Sequence, residues 1–263
     1  MSACVEVSEN AAIRRGIFFA CALRRMNACA ARCAQRQYDK RLLVPRLSRR
    51  VSTARPCHVE SGGLMRVLLV GATGLLGTQI KRILEPQHEV ITASRKGSDV
   101  SVDLSDKASI VAMFDKVGKV GAVVCVGGAA KFAPLDSLSD GDYAFSLANK
   151  LMGQVNLVRC AIGHVDEGGS VTLTSGVLAQ QPMVGSAAVS IVNAGVEGFA
   201  RVAALELQGK MRVNVVSPGW VAETLESMGK DPSQGIPAAE VAKVYRRTID
   251  ETITGQTLLA AKT

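Results

Sequence analysis

The feature that most constrains this 263-residue chain is a glycine triplet set between a strand and a helix. Arg66 to Val70 is a short apolar run, Gly71-Ala-Thr-Gly74-Leu-Leu-Gly77 follows it, and Leu75 to Leu84 has a helical pattern that closes near Pro86. Gly71 permits a tight turn. Gly74 lets the backbone approach a ligand, and Gly77 lets the helix pack closely on the strand. The first turn of such a helix carries free N–H groups and partial positive charge, a setting suited to a diphosphate. The literal dinucleotide fingerprint needs its second glycine at position 72, where this chain has Ala72. The G-x-x-G-x-x-G form is a relative with the same physics. Thr73 and Leu75 flank Gly74 and join the predicted contact set.

The rest of the chain repeats this rhythm. Strands are predicted over 89–93, 100–102, 122–126, 170–174, 212–216 and 256–260, and helices over 106–117, 140–162, 185–207 and 238–249. Alternating strands and helices specify an α/β fold: a Rossmann-type, doubly wound parallel sheet in three layers over residues 65–263. Ligands of such sheets bind at the carboxyl ends of the strands. Plentiful Ala, Val, Leu and Gly, with aromatics at only 4%, suit buried parallel strands and close helix packing.

The second strand separates two cofactors. An NAD site carries Asp or Glu about 20 residues past the glycines to hold the ribose 2′-OH. Here the strand ends Ala93-Ser94-Arg95-Lys96, with no acid. Arg95 can pair with a 2′-phosphate and Ser94 can hydrogen-bond to it, which favours NADP(H) over NAD(H). The alternative is that Arg95 and Lys96 are solvated loop charges. Asp103 and Leu104 follow the third strand, where a side-chain acceptor can meet an adenine amino group. Gly127 and Gly128 end the fourth strand; Pro218 and Gly219 end the sixth, with Trp220, Val221 and the 222–236 segment beyond.

Residues 1–64 differ from the remainder. They hold 12 Lys and Arg against 4 Asp and Glu, while residues 65–263 hold 19 of each, so the +8 charge belongs to the N-terminal segment. A neutral body offers no footprint for nucleic acid. Arg14, Arg25, Arg32 and Arg36 share one stripe of a notional helix, and Phe19, Leu23, Met26 and Ala30 lie opposite. Arg-rich, acid-poor and weakly amphipathic is the profile of a transit peptide, so a chloroplast or mitochondrion is expected if it acts as one, and the cytoplasm otherwise. The apolar run from Gly16 to Leu23 is too short to span a bilayer. A zinc site from Cys29, Cys33, Cys57 and His58 matches no standard ligand spacing, and no metal is expected. Cys125 and Cys160 read as buried small hydrophobes.

Five segments in order resemble the short-chain dehydrogenase/reductase family across residues 65–263. Residues 70–77 look like its cofactor loop, and Val126-Gly127-Gly128-Ala129 stands where the family has Asn-Asn-Ala-Gly. Gly169 to Ser175 is similar to the strand leading to the catalytic serine. Val196 to Leu207 resembles part of the active-site helix, and Arg212 to Gly219 the segment beside the nicotinamide. The resemblance breaks at the chemistry. The family's Tyr-x-x-x-Lys pair falls on Val189 and Asn193, an atypical pattern. The serine position falls on Ser175 or, counted strictly, on Gly176. The family's active-site Asn falls on Lys150 of Lys150-Leu-Met-Gly153.

Lys150, Ser175 and Asn193 are therefore the catalytic candidates. A partly buried ammonium near a nicotinamide can act as acid or carbonyl electrophile, and Asn193 can bind ribose hydroxyls. Ser186, Ser190 and Asn193 keep one helix face polar; helix capping is the alternative for the serines. His88 and His164 are expected to face solvent, and nothing places Tyr143 or Tyr245 near the site. Two readings stand: an NADP(H)-dependent oxidoreductase of a small carbonyl or alcohol, or a catalytically inactive NADP(H)-binding sensor or scaffold. Homo-oligomers are a family-level expectation.

Overall fold

The computed structural model describes residues 64–262. The transit-peptide, zinc-site and apolar-run readings of residues 1–63 lie outside the described residues. Seven strands form one all-parallel sheet: β1 (Met65–Val70), β2 (His88–Ser94), β3 (Val100–Ser101), β4 (Val120–Cys125), β5 (Val165–Thr174), β6 (Arg212–Pro218) and β7 (Thr257–Ala260). Their spatial order is β3-β2-β1-β4-β5-β6-β7, so the winding reverses between β1 and β4. That reversal opens a crevice at the carboxyl ends of these two strands.

Among the described residues, seven α-helices cover the sheet: α1 (Leu75–Leu84), α2 (Lys107–Val117), α3 (Asp140–Ser146), α4 (Gly153–Ala161), α5 (Ala187–Glu206), α6 (Ala222–Ser227) and α7 (Ala238–Asp250). The strands bury both faces, so their residues divide by parity. Leu68, Val70, Val123 and Cys125 face a core with Phe114, Leu157, Val196 and Ala200 from α2, α4 and α5. Val67, Leu69, Ala122 and Val124 face the opposite core, with Ile80, Leu84, Val241 and Tyr245 from α1 and α7. Among the described residues, α5 is the one helix long and apolar enough to cross a membrane. It packs on the sheet instead, burying Val192, Val196, Ala200 and Ala203.

Four expectations need correction. The helix predicted over 140–162 is interrupted by a π-helical turn, Leu147–Met152, between α3 and α4. There the Gly153 N–H reaches back to the Ala148 carbonyl, and the buried Gln154 side chain donates to the Lys150 carbonyl at 3.2 Å. The fifth strand begins at Val165 rather than Ser170, with a register shift opposite Val120 and Ala122. His88 and His164 are half-buried: both His88 ring nitrogens lack a partner, and His164 Nδ1 meets the Cys160 carbonyl at 2.9 Å. Cys125 is buried as expected, but Cys160 is only partly so.

Candidate active site

The glycine loop leaves β1 at the crevice. Gly71 has φ +88°, and a Cβ there would come within 2.7 Å of the Gly127 nitrogen at the end of β4. At Gly77 a Cβ would meet the Gly71 carbonyl at 2.2 Å, so α1 reaches the loop only because residue 77 has no side chain. Gly74 caps α1 with no side-chain cap and no acid in the first turn, which leaves the helix mouth open to an anion. A cleft of about 630 Å³ lies over this mouth, lined by Gly71, Thr73, Gly74, Ser94, Arg95, Lys96, Asp103, Leu104, Gly127 and Gly128. Asn149 and Ala129 also line it, and sequence reasoning had not singled out Asn149.

Ser94 sits at the base of the turn, where its hydroxyl receives the Thr73 N–H at 3.4 Å and donates to the Ala93 carbonyl at 2.7 Å. Arg95 and Lys96 are exposed at the rim. Asp103 accepts from the Ser105 N–H and hydroxyl at 2.9 and 2.7 Å; these bonds, with Arg95 nearby, hold its carboxyl below the usual range. Leu104 closes the floor, since a Cβ at Gly127 would lie 2.9 Å from its side chain. Leu75 is exposed in the first turn of α1. Pro218 is buried at the end of β6, Gly219 N–H donates to Ala260, and Val221 bridges to Ile236. These last three do not line the cleft just described.

Lys150 lies in the π turn, packed against the second glycine of the β4 end: a Cβ at Gly128 would come within 3.3 Å of its own Cβ. Its ammonium donates to the Ser175 carbonyl at 3.1 Å. Burial lowers its pKa to about 8, opposed by the neighbouring Cys125 thiol, which burial itself raises to about 12. Gln154 fixes this arrangement, accepting from Thr174 N–H at 2.7 Å and donating to the Thr174 carbonyl at 2.9 Å.

Ser175 and Asn193 also converge on the end of β5, but not as the sequence suggested. The Ser175 hydroxyl points to a buried acid, donating to Glu197 Oε1 at 2.8 Å. Asn193 is buried, its amide donates to the Gly176 carbonyl at 3.3 Å, and its Oδ1 has no partner. Ser186 and Ser190 pair with each other at 3.0 Å, and Ser186 receives Met183 N–H, so the first serine is not a side-chain cap. Glu197 completes the same face at i+11 from Ser186. That spacing was readable in the sequence, where the residue served only as part of the Val196 to Leu207 resemblance. Tyr245 is fully buried with its hydroxyl 2.8 Å from Thr174 Oγ1, and burial pushes its pKa up, so its phenol belongs to the core. Tyr143 is half-buried on α3. No group of three or more metal-ligating side chains occurs among the described residues.

A parallel sheet reversed at a glycine-lined crevice, with an open helix mouth beneath it, defines a Rossmann-type dinucleotide-binding protein. Residues 71–260 match the family model described as enoyl-(acyl carrier protein) reductase, and the chain belongs to the short-chain dehydrogenase/reductase family of oxidoreductases. Among solved structures, the protein lin1944 from Listeria innocua is 37% identical with a TM-score of 0.72, covering 74% of this chain and 99% of that one. A small-chain dehydrogenase in complex with NADPH is 24% identical with a TM-score of 0.68, over 75% of this chain and 97% of that one, a likeness of fold. Hydroxynaphthalene reductase arp2 of Aspergillus fumigatus is 28% identical over 152 residues, 55% of each chain. The chain spans about half the length of the curated relatives it matches.

Proposed function

We propose that this protein is an NADP(H)-dependent oxidoreductase acting on a small carbonyl or alcohol. The reading rests on one observation: an ammonium held at the ends of β4 and β5, packed on Gly128 and bonded to the Ser175 carbonyl, with a pKa lowered to about 8, where the resemblance puts the family's active-site Asn. The cleft fits a dinucleotide, because the mouth of α1 has no side-chain cap and no acid in its first turn, and Gly71 and Gly77 let the loop close tightly on the β4 end and on α1. In this reading Gly71, Thr73, Gly74, Leu75 and Gly77 hold the diphosphate. Ser94 and Arg95 take the 2′-phosphate, Asp103 and Leu104 flank the adenine, and Gly127, Gly128, Pro218, Gly219 and Val221 flank the rest. The orphaned Oδ1 of Asn193 is an acceptor suited to a ribose hydroxyl.

Bound NADPH supplies a hydride to a carbonyl carbon. The chain supplies the proton. Lys150 gives one from Nζ to the carbonyl oxygen and regains it from solvent, and its pKa suits that exchange near neutral pH. Val189 and Gly176 carry no exchangeable side-chain proton, and Lys150 is the residue assigned this work.

The same two residues favour a second reading, an NADP(H)-binding sensor without turnover. A carbonyl panel with purified protein separates the two. The enzyme consumes NADPH and loses at least about a hundredfold in turnover on Lys150→Met, the low end of the range for general acids. Tight NADPH binding with no turnover on any carbonyl supports the sensor. Residues 1–64 are proposed to direct the chain to an organelle, testable by fusing them to a fluorescent protein.

A further inference from the structure

Glu197 is a buried carboxyl group on the sheet-facing side of α5, one turn beyond Asn193. A buried acid is costly unless donors meet it, and here two do. Ser175 Oγ donates to Oε1 at 2.8 Å, and Gln180 Nε2, from an exposed residue in the turn after β5, donates to Oε2. Ser175 is also the residue whose carbonyl receives the Lys150 ammonium, at 3.1 Å. One residue at the tip of β5 thus joins the acid on its side-chain oxygen and the lysine on its main-chain oxygen.

We propose that Glu197 is the positioning residue for Lys150: by holding Ser175 and Gln180 it fixes the turn after β5, and so fixes where the Ser175 carbonyl meets the ammonium. The idea rests on the reading of Lys150 as the proton donor. It assigns Ser175 a supporting place, since its hydroxyl is occupied by the carboxylate. The strand end has other anchors: Ser175 N–H to Val216, Gln154 to Thr174, the Thr174 hydroxyl to the Cys125 carbonyl and to Tyr245, and Asn193 to Gly176; none of them reaches Gln180. The titratable group facing Lys150 from β4 is Cys125, which stays a neutral thiol because burial raises its pKa to about 12. Lys150 therefore depends on a neutral carbonyl for its directed partner, and a carbonyl that drifts stabilises the charged form less.

The test is the titration of Lys150 in the full-length protein, read by carbon NMR of isotopically dimethylated lysines and assigned with Lys150→Arg. Glu197→Gln keeps an acceptor for Ser175 but turns an amide N–H₂ toward the Gln180 amide. Ser175→Ala removes the tie and leaves the carboxyl group in place. Both are expected to lower the titration midpoint by roughly one pH unit, a tenfold change in proton affinity. The double variant is expected to move it no further than either single one. Should Glu197→Gln fail to fold, Ser175→Ala and Gln180→Ala carry the test. An unchanged midpoint in folded variants overturns the proposal. Turnover that survives Lys150→Met overturns the acid role of the lysine instead, so the two failures are told apart.

Discussion

The Asn193 amide nitrogen lies 3.0 Å from where a Cβ on Gly176 would stand. By the sequence resemblance, these two residues stand where the family carries its lysine and, by strict count, its serine. The contact makes them a matched pair. A side chain at 176 must push the Asn193 amide, which is buried and already donates to the Gly176 carbonyl. Gly176→Ser alone is expected to cost about 1–3 kcal/mol through overpacking. Adding Asn193→Ala should recover part of that loss, giving a non-additive cycle in urea denaturation. Additive losses would show that the pair is not coupled.

The glycine cradle makes a stricter prediction. Gly77→Ala puts a Cβ 2.2 Å from the Gly71 carbonyl, a backbone atom that cannot swing aside. The variant is expected to lose roughly 3 kcal/mol or more of stability and its NADPH affinity, whereas Gly118→Ala, with open space around the Cβ but φ +74°, should lose stability by strain alone. Paired thermal melts and nucleotide titrations of the two variants check this.

Lys150 gives a pH dependence with a definite sign. Its folded pKa, about 8, lies below its ordinary value of 10.5, so between these two the unfolded chain binds more protons. Stability contributed by this group therefore rises with pH through that window, and the full penalty of burying the ammonium applies below it. Lys150→Met is expected to stabilise the fold by about 1–2 kcal/mol at pH 7, discounted for partial solvent access. The advantage should shrink as pH climbs from 8 toward 10.5. Activity runs the other way: the proton donor is present below pH 8 and lost above it. Urea melts and turnover across pH 6–11 check both arms.

How much of this was legible in the sequence depends on the range of the information. The glycine loop, the strand ends and the parity of buried residues follow from neighbours within a few positions, so residues 65–84 could be read almost directly. The π turn could not, because Leu147 to Met152 continues a helical pattern and the deviation is set by the Gln154 side chain bridging to Thr174, 20 residues away. The extra length of β5 was hidden by the polar Asp166-Glu167-Gly168-Gly169 run, which imitates a turn. Lys150 was found through the family position and not through periodicity. Glu197 was missed because a charged helix residue is usually solvated, and its two donors come from a loop with no pattern of its own. Its position on the Ser186, Ser190, Asn193 face was the available clue.

The central claim is that the crevice between β1 and β4 holds NADP(H), with Arg95 as the group that selects the extra phosphate. Calorimetric titration of the full-length protein and of Arg95→Ala with NADPH and NADH tests it most directly. The account predicts one NADPH bound per chain and an NADPH affinity that falls at least about tenfold in Arg95→Ala, as expected for a lost charge-assisted pair, with NADH affinity little changed. Absence of heat with either nucleotide, or equal loss for both in Arg95→Ala, would contradict it.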